Sequence, residues 1–371
     1  MKLETLPHLV CPACKESLEV EVFEAWNPGD AEATASNQVA EGVLVCTECA
    51  TWYPIINHVP VLLDYPVPLH GEFRTLHAGR SNWPTSLHPP QGDPRPGEGW
   101  TQRSFSRQWG ALREAPLTFS YTHEQRREFI RIELDWPPLL AGKGGRLLDA
   151  GCGFGLEAKL LHEATGMEVF AADLNLSLLT GGPRYQAHPA IHLVLASLYR
   201  LPFRERSFDR VYSHGVIHHT HSTRDGFDAL LAYPKEGGAI YIWVYAHEDF
   251  DRGLLRARVG HMLELWLRPW IARLPPALQN LVVYPMSLHH YLDRKRNDSN
   301  REQWRFENSV HSMRDRWTCR YAHRHSFNEV IGWFVQSGLD YRLIDPVAYR
   351  QAFGYDLIGI GIRGRRAEEP R

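Results

Sequence analysis

Four of the six cysteines fall into two CxxC pairs, Cys11/Cys14 in "CPAC" and Cys46/Cys49 in "CTEC", with 31 residues (Lys15 to Val45) between them. Each CxxC turn presents two thiolates on one side, and two such turns complete a tetrahedral shell of four sulfurs around one metal ion. Sulfur fills every position of that shell, so the ion is expected to be structural, with no vacancy for water or substrate. A second group of residues is "RLLDAGCGFG", Arg146 to Gly155. Gly151, Gly153 and Gly155 strip side chains from a tight turn after an apolar run, which lets a nucleotide-like ligand press on the backbone and meet helix N–H groups. Asp149 precedes the first glycine by two residues and offers a carboxylate to an amine-bearing ligand. Asp173, at the end of "MEVFAAD", suits a ribose diol at the edge of a sheet. The third group is "SHGVIHHT", in which His218 and His219 offer imidazoles that take up a proton near neutral pH. Cys152 lies inside the glycine turn, where a small residue saves space, and is not read as a nucleophile.

Such residues work only if elements hold them. "RLLDA", "MEVFAADLN", "FDRVYSHG" and "GGAIYIWVY" are apolar runs separated by helix-like segments, the alternation of a parallel, doubly wound sheet. Near the end, "HSFNEVIGWFVQSG" starts with Ser326 and has Glu329 three residues on, a capping-box spacing. "LDYRLID" and "YDLIGIGIRG" follow as two further strands. Between "GGAIYIWVY" and that helix lies an insertion, and residues 251–325 carry 14 Arg/Lys against 7 Asp/Glu, with six histidines. The stretch 78–100 is rich in Gly and Pro and reads as an irregular connection. Around the cysteines, "LVCPAC" and "VLVCTECATWYPIINHVPVLL" read as strand, knuckle, strand.

The chain has 371 residues, 43% hydrophobic and 23% charged, with a net charge of −2. That composition allows two or three domains, and its neutrality weighs against a nucleic-acid partner. No apolar run reaches the ~18 residues of a membrane span. The start, MKLETLPHLVCPAC, lacks the apolar core of a secretion signal, so reduced thiols and a cytoplasmic location are expected. A homo-oligomer stays open.

Residues 9–63, through CPAC, the second CxxC and "YPIINHVPVLL", resemble the small zinc-ribbon domain that acts as an activator of tRNA and ribosomal methyltransferases. LLDAGCGFG, AADLN, LPFRERSFDRVYSHGVIHHT and KEGGAIYIWVY, in that order, resemble class I S-adenosylmethionine-dependent methyltransferases of the ubiquinone-biosynthesis-like group. The resemblance implies an α/β fold: a doubly wound, Rossmann-like seven-stranded sheet, a small N-terminal zinc-ribbon domain and a helical lid insertion. The expected boundaries are 1–66 for the zinc ribbon, 67–120 for a linker and cofactor roof, and 121–246 for the cofactor core. The basic insertion then spans 247–318, and 319–371 close the sheet.

By the same resemblance, Gly151, Gly153 and Gly155 form the turn beside the methionine moiety of S-adenosylmethionine, Asp149 faces its amino group, and Asp173 holds its ribose hydroxyls. Ser197 stands where the family usually has Asp for the adenine amino group, with Leu198 and Leu174 lending backbone and packing. His214 and Gly215 lie next to the sulfonium, and Trp109, with Phe105, roofs the cofactor. Cys11, Cys14, Cys46 and Cys49 hold Zn²⁺. His219, ahead of His218, is the expected general base. The expected acceptor is a small molecule reacting at O or N, from specialised metabolism or glycan modification. An RNA base methyltransferase and a non-catalytic scaffold are the alternatives.

Overall fold

A computed structural model describes residues 1–26, 38–110, 117–118, 121–134, 144–247, 255–353 and 359–366; the start of the expected insertion, 248–254, and residues 367–371 lie outside that description. The cysteines sit where short strands turn. A 3₁₀ turn at Leu3–His8 leads to the first CxxC, and strands β1 (Glu19–Trp26), β2 (Gln38–Cys46), β3 (Thr51–Ile56) and β4 (Val59–Leu62) then run antiparallel. Cys46 closes β2 opposite Thr51, so the second CxxC lies in the β2–β3 hairpin loop, where Ala50 takes the left-handed φ of 51°. Helix α1 (Pro68–His77) covers this sheet through Phe73, which packs with Trp52 and Trp83.

Helix α2 (Glu98–Gly110), the two-residue strands β5 (Leu117–Thr118) and β6 (Tyr121–Thr122), and helix α3 (His123–Glu133) lead into the cofactor sheet. Its strands are β7 (Arg146–Ala150), β8 (Glu168–Asp173), β9 (Ile191–Ala196), β10 (Phe208–His214), β11 (Pro234–Tyr245), β12 (Leu339–Leu343) and β13 (Gly359–Arg366). Their order is β9-β8-β7-β10-β11-β13-β12, and β13 alone runs against the rest. The inner strands are buried on both faces, which is why they read as unbroken apolar runs rather than alternating ones. The two units share one sheet: β4 pairs in parallel with β9, Val61 opposite Leu195 and Leu62 opposite Ala196, making eleven continuous strands.

Helices α4 (Leu156–Thr165), the single turns α5 (Leu178–Gly181) and α6 (Pro183–Gln186), and α7 (Thr223–Leu230) fill the crossovers. The insertion forms α8 (Leu255–Ile271), α9 (Pro276–Asn297) and α10 (Phe306–Thr318), joined through Ile271, Val283, Met313 and Trp317. The outer faces of α8 and α9 leave Met262, Trp266, Trp270 and Leu281 exposed. Helix α11 (Phe327–Gln336) starts as its spacing predicts, with Ser326 Oγ accepting the Glu329 N–H, but the Glu329 carboxylate turns to His325 instead of closing the box. Helix α12 (Pro346–Phe353) precedes β13.

Candidate active site

A cavity of about 1380 Å³ opens at the carboxyl ends of β7, β8, β10 and β11, the position where a doubly wound sheet takes its ligands. Gly151, Gly153, Asp173, Leu174, Leu198, His214, Gly215 and His219 line it, and α2 roofs it with Phe105 and Trp109. The turn after β7 needs its glycines. Gly151 has φ 105°, and a Cβ there would lie 2.1 Å from the Val216 side chain. At Gly153 a Cβ would meet the Trp109 ring at 3.3 Å. Gly155, also at positive φ, caps α4 against Tyr185 and Leu193 and is not on the cavity wall.

Asp173 is aimed by three donors. Its Oδ2 accepts the Gly153 N–H (2.7 Å), and its Oδ1 accepts the backbone and side-chain N–H groups of Asn175 (2.8 and 2.7 Å). Burial raises its pKa above the usual carboxylate value, against the pull of these bonds. Asp149 lies behind the wall, enclosed, and its Oδ2 has no hydrogen-bond partner among the described residues. Burial, then the nearby Glu157 and Asp173 carboxylates, pushes its pKa well up. An ammonium group close by would relieve both the orphaned oxygen and that cost.

Ser197 is off the wall; its hydroxyl donates to the Glu98 carboxylate and accepts the Tyr199 N–H. Glu98 of α2, only 6% exposed, lines the cavity in its place, with its pKa raised by burial. Sequence reasoning missed Glu98, a single acid at the end of a Gly/Pro-rich stretch. Below the turn, buried Arg126 donates to Glu133 (3.0 Å) and Glu157 (2.9 Å), and the Tyr212 hydroxyl donates to Glu133. Burial would raise the Glu133 pKa, but the Arg126 charge outweighs it and holds the group low.

Of His218 and His219, only His219 reaches the cavity. Its Nδ1 is 2.8 Å from the Tyr321 carbonyl oxygen, which only accepts, so Nδ1 carries the hydrogen and Nε2 holds the lone pair. Nε2 lies 3.7 Å from Asp315 Oδ1, and Asp315 also accepts the Tyr245 hydroxyl (2.6 Å). Burial lowers the His219 pKa, with Asp315 opposing. His218 is fully enclosed behind the wall against Tyr245, both ring nitrogens lack partners among the described residues, and burial keeps it neutral. Across the cavity, α8, α10 and the segment before α11 present Arg268, Arg316 and Arg324 around Glu264.

Outside the cavity lining, the sulfur atoms of Cys11, Cys14, Cys46 and Cys49 all lie within 4.8 Å of one another, with Cys11–Cys49 at 3.6 Å and Cys14–Cys46 at 3.4 Å. A tetrahedron with metal–sulfur bonds of ~2.3 Å has sulfur–sulfur edges of roughly 3.8 Å, so the cluster fits one ion.

Residues 148–242 match the family model described as a methyltransferase domain, and residues 2–57 match that of Trm112p-like protein. Together with the strand order and the glycine turn, these matches define a class I S-adenosylmethionine-dependent methyltransferase. The particular member joins that enzyme domain to an N-terminal Trm112-like module in one chain. Its curated relatives include a tRNA U34 carboxymethyltransferase of Pseudomonas paraeruginosa, 28% identical over 285 residues, covering 72% of this chain and 80% of the relative. Another of the same description, from Pseudomonas aeruginosa, is 33% identical over 160 residues, 39% of this chain and 49% of the relative. A malonyl-[acyl-carrier protein] O-methyltransferase of Pseudescherichia vulneris is 34% identical over 106 residues, 28% of this chain and 41% of its own length. The chain thus spans most of the first of these and about half or less of the others.

These relatives overturn the expected small-molecule acceptor and the expectation that nucleic acid is an unlikely partner, and favour the RNA alternative, since the longest matches are to enzymes named for tRNA. Whole-chain neutrality is the wrong scale for that judgement: a sum over 371 residues says nothing of one wall, and Arg268, Arg316 and Arg324 stand together on the cavity lining. No helix among the described residues is long and apolar enough to cross a membrane.

Proposed function

We propose that the protein transfers a methyl group from S-adenosylmethionine to a uridine of a transfer RNA. The 285-residue match to a tRNA U34 carboxymethyltransferase carries this reading, because it extends far beyond the 148–242 cofactor segment. The orphaned Asp149 carboxylate and the side-chain-free turn at Gly151 and Gly153 suit the amine and backbone-hugging shape of S-adenosylmethionine, with Asp173 for its ribose. That cofactor supplies a carbon already activated by a sulfonium.

The chain must then align the acceptor and handle its proton. Held by the Tyr321 carbonyl, His219 offers Nε2 to the acceptor's proton, and Asp315 stabilises the resulting imidazolium. The proton given up by the acceptor would rest on His219 Nε2, and the sulfur of S-adenosylmethionine would depart as the neutral thioether of S-adenosylhomocysteine. Incubating the protein with labelled S-adenosylmethionine and unmodified tRNA, then analysing the nucleosides, tests the proposal. Label in a uridine is expected, as a mass gain of one methyl group. Unlabelled tRNA beside a labelled small molecule would overturn it.

In the same reading the four cysteines hold Zn²⁺ as a structural staple, in a cytoplasm that keeps thiols reduced. One zinc per chain is expected by metal analysis, and Cys14→Ser should lose it; protein that purifies folded and metal-free would refute the assignment.

A further inference from the structure

The arginines across the cavity from the glycine turn are placed in a way that base-pocket chemistry alone does not explain. Glu264, 2% exposed, is a single carboxylate with three guanidinium groups around it. Arg268 Nη1 lies 3.2 Å from its Oε1, Arg316 Nε 2.6 Å from its Oε2, and Arg324 Nη2 3.7 Å from its Oε1. Arg268 is itself only 6% exposed, and the Nε–H groups of Arg268 and Arg324 are buried without a partner among the described residues. The other acid on this wall, Asp315, is engaged by Tyr245, Gln108 and His219. Among the described residues, three guanidinium groups share this one carboxylate, a costly arrangement unless something negative completes it. Planar guanidinium forks match the oxygens of a phosphate.

Position selects the source of that anion. The cofactor's amine end is assigned to the glycine-turn wall, where Asp173, Glu98, Glu133 and Glu157 outnumber Arg126 and Asp149 lies just behind. The arginines instead share a strap with the base: Tyr321 O receives His219 Nδ1–H, and the next carbonyl, Ala322 O, receives Arg268 Nη2–H (3.3 Å). An anion held there sits beside the acceptor's reacting atom. We propose that Arg268, Arg316 and Arg324 form an anion subsite that takes a backbone phosphate adjoining the target nucleotide; this rests on the RNA reading above.

Arg316→Gln tests it on the full-length protein, because Arg316 is the most exposed of the three and the least needed for folding. An anticodon stem–loop RNA should bind that variant at least tenfold more weakly, with a shallower salt dependence, while S-adenosylmethionine affinity by calorimetry stays put. Arg316→Lys should recover part of the loss. In the wild type, an oligonucleotide with an uncharged methylphosphonate at the linkage beside the target should bind as weakly as the normal RNA binds Arg316→Gln, and the two changes together should cost no more. Unchanged RNA affinity and salt slope in Arg316→Gln and Arg324→Gln would overturn the subsite, as would an equal loss of cofactor affinity. Should the wild type bind no RNA, uridine monophosphate and inorganic phosphate replace it as probes. Thermal stabilisation by either, absent in Arg316→Gln, would keep the anion subsite while sinking the RNA reading; no stabilisation of the wild type would sink both.

Discussion

The two walls of the cavity are built on opposite electrostatic plans. The wall at the glycine turn gathers carboxylates, Glu98, Asp149, Glu157 and Asp173, several with pKa values raised by burial, and its geometry is fixed by backbone: strand ends, a turn that only glycine permits, and N–H groups that aim Asp173. The wall from α8, α10 and the strap before α11 gathers arginines on long side chains around one carboxylate. On the proposed reading, a cationic cofactor and an anionic acceptor share one space from these two walls, with His219 and Asp315 at the seam. Rigid backbone would then serve the ligand common to this fold, and side chains on added helices the ligand that differs.

If that division holds, each wall should fail separately. The largest effect belongs to the seam. His219→Ala should lower turnover at neutral pH by ~10²–10⁴-fold with cofactor affinity unchanged. Burial holds the His219 pKa below its ordinary 6.5, so at neutral pH the ring is already the free base. Wild-type activity should therefore be flat through neutrality and fall only as pH drops through that lowered value, and the fall should vanish in His219→Gln. A pH–rate profile identical in both proteins would remove the base and leave alignment as the catalytic device.

A smaller loss is expected on the acidic wall. Asp173→Ala takes a charged acceptor from two ribose hydroxyls and should weaken S-adenosylmethionine binding by roughly 2–4 kcal/mol, leaving RNA affinity untouched. Wild-type cofactor affinity by calorimetry would place the ribose elsewhere. Smallest is Glu98→Gln, which keeps the shape and one acceptor oxygen; about a tenfold loss of cofactor affinity is expected. A loss of RNA affinity instead would blur the two walls into one site.

The legibility of the two walls in the sequence follows the same line. Strand β7, its turn and Asp173 are contiguous or a fixed crossover apart, so spacing alone brings them together. The CxxC pairs were legible for a related reason: each half-site is one turn, and only the meeting of two turns had to be inferred. Glu98 carried no local signal, since α2 is brought over the sheet by tertiary packing, and it is Glu98 that occupies Ser197. The arginine excess of the insertion was visible as a count, yet only folding shows that Arg268, Arg316 and Arg324, 56 positions apart at the extremes, converge on Glu264. The acceptor was misread because net charge adds up what the fold keeps apart.

The parallel pairing of β4 with β9 has a consequence for whom this enzyme can recruit. A sheet edge is a docking strip, and here the chain's own N-terminal module lies on it, Val61 and Leu62 hydrogen-bonded along Leu195 and Ala196. Being covalently joined, that module competes for the edge at a millimolar effective concentration, whatever its intrinsic affinity. A separate protein seeking the same strip would have to displace a tethered rival. The methyltransferase domain and the Trm112-like module are therefore made in equal number and meet without diffusion.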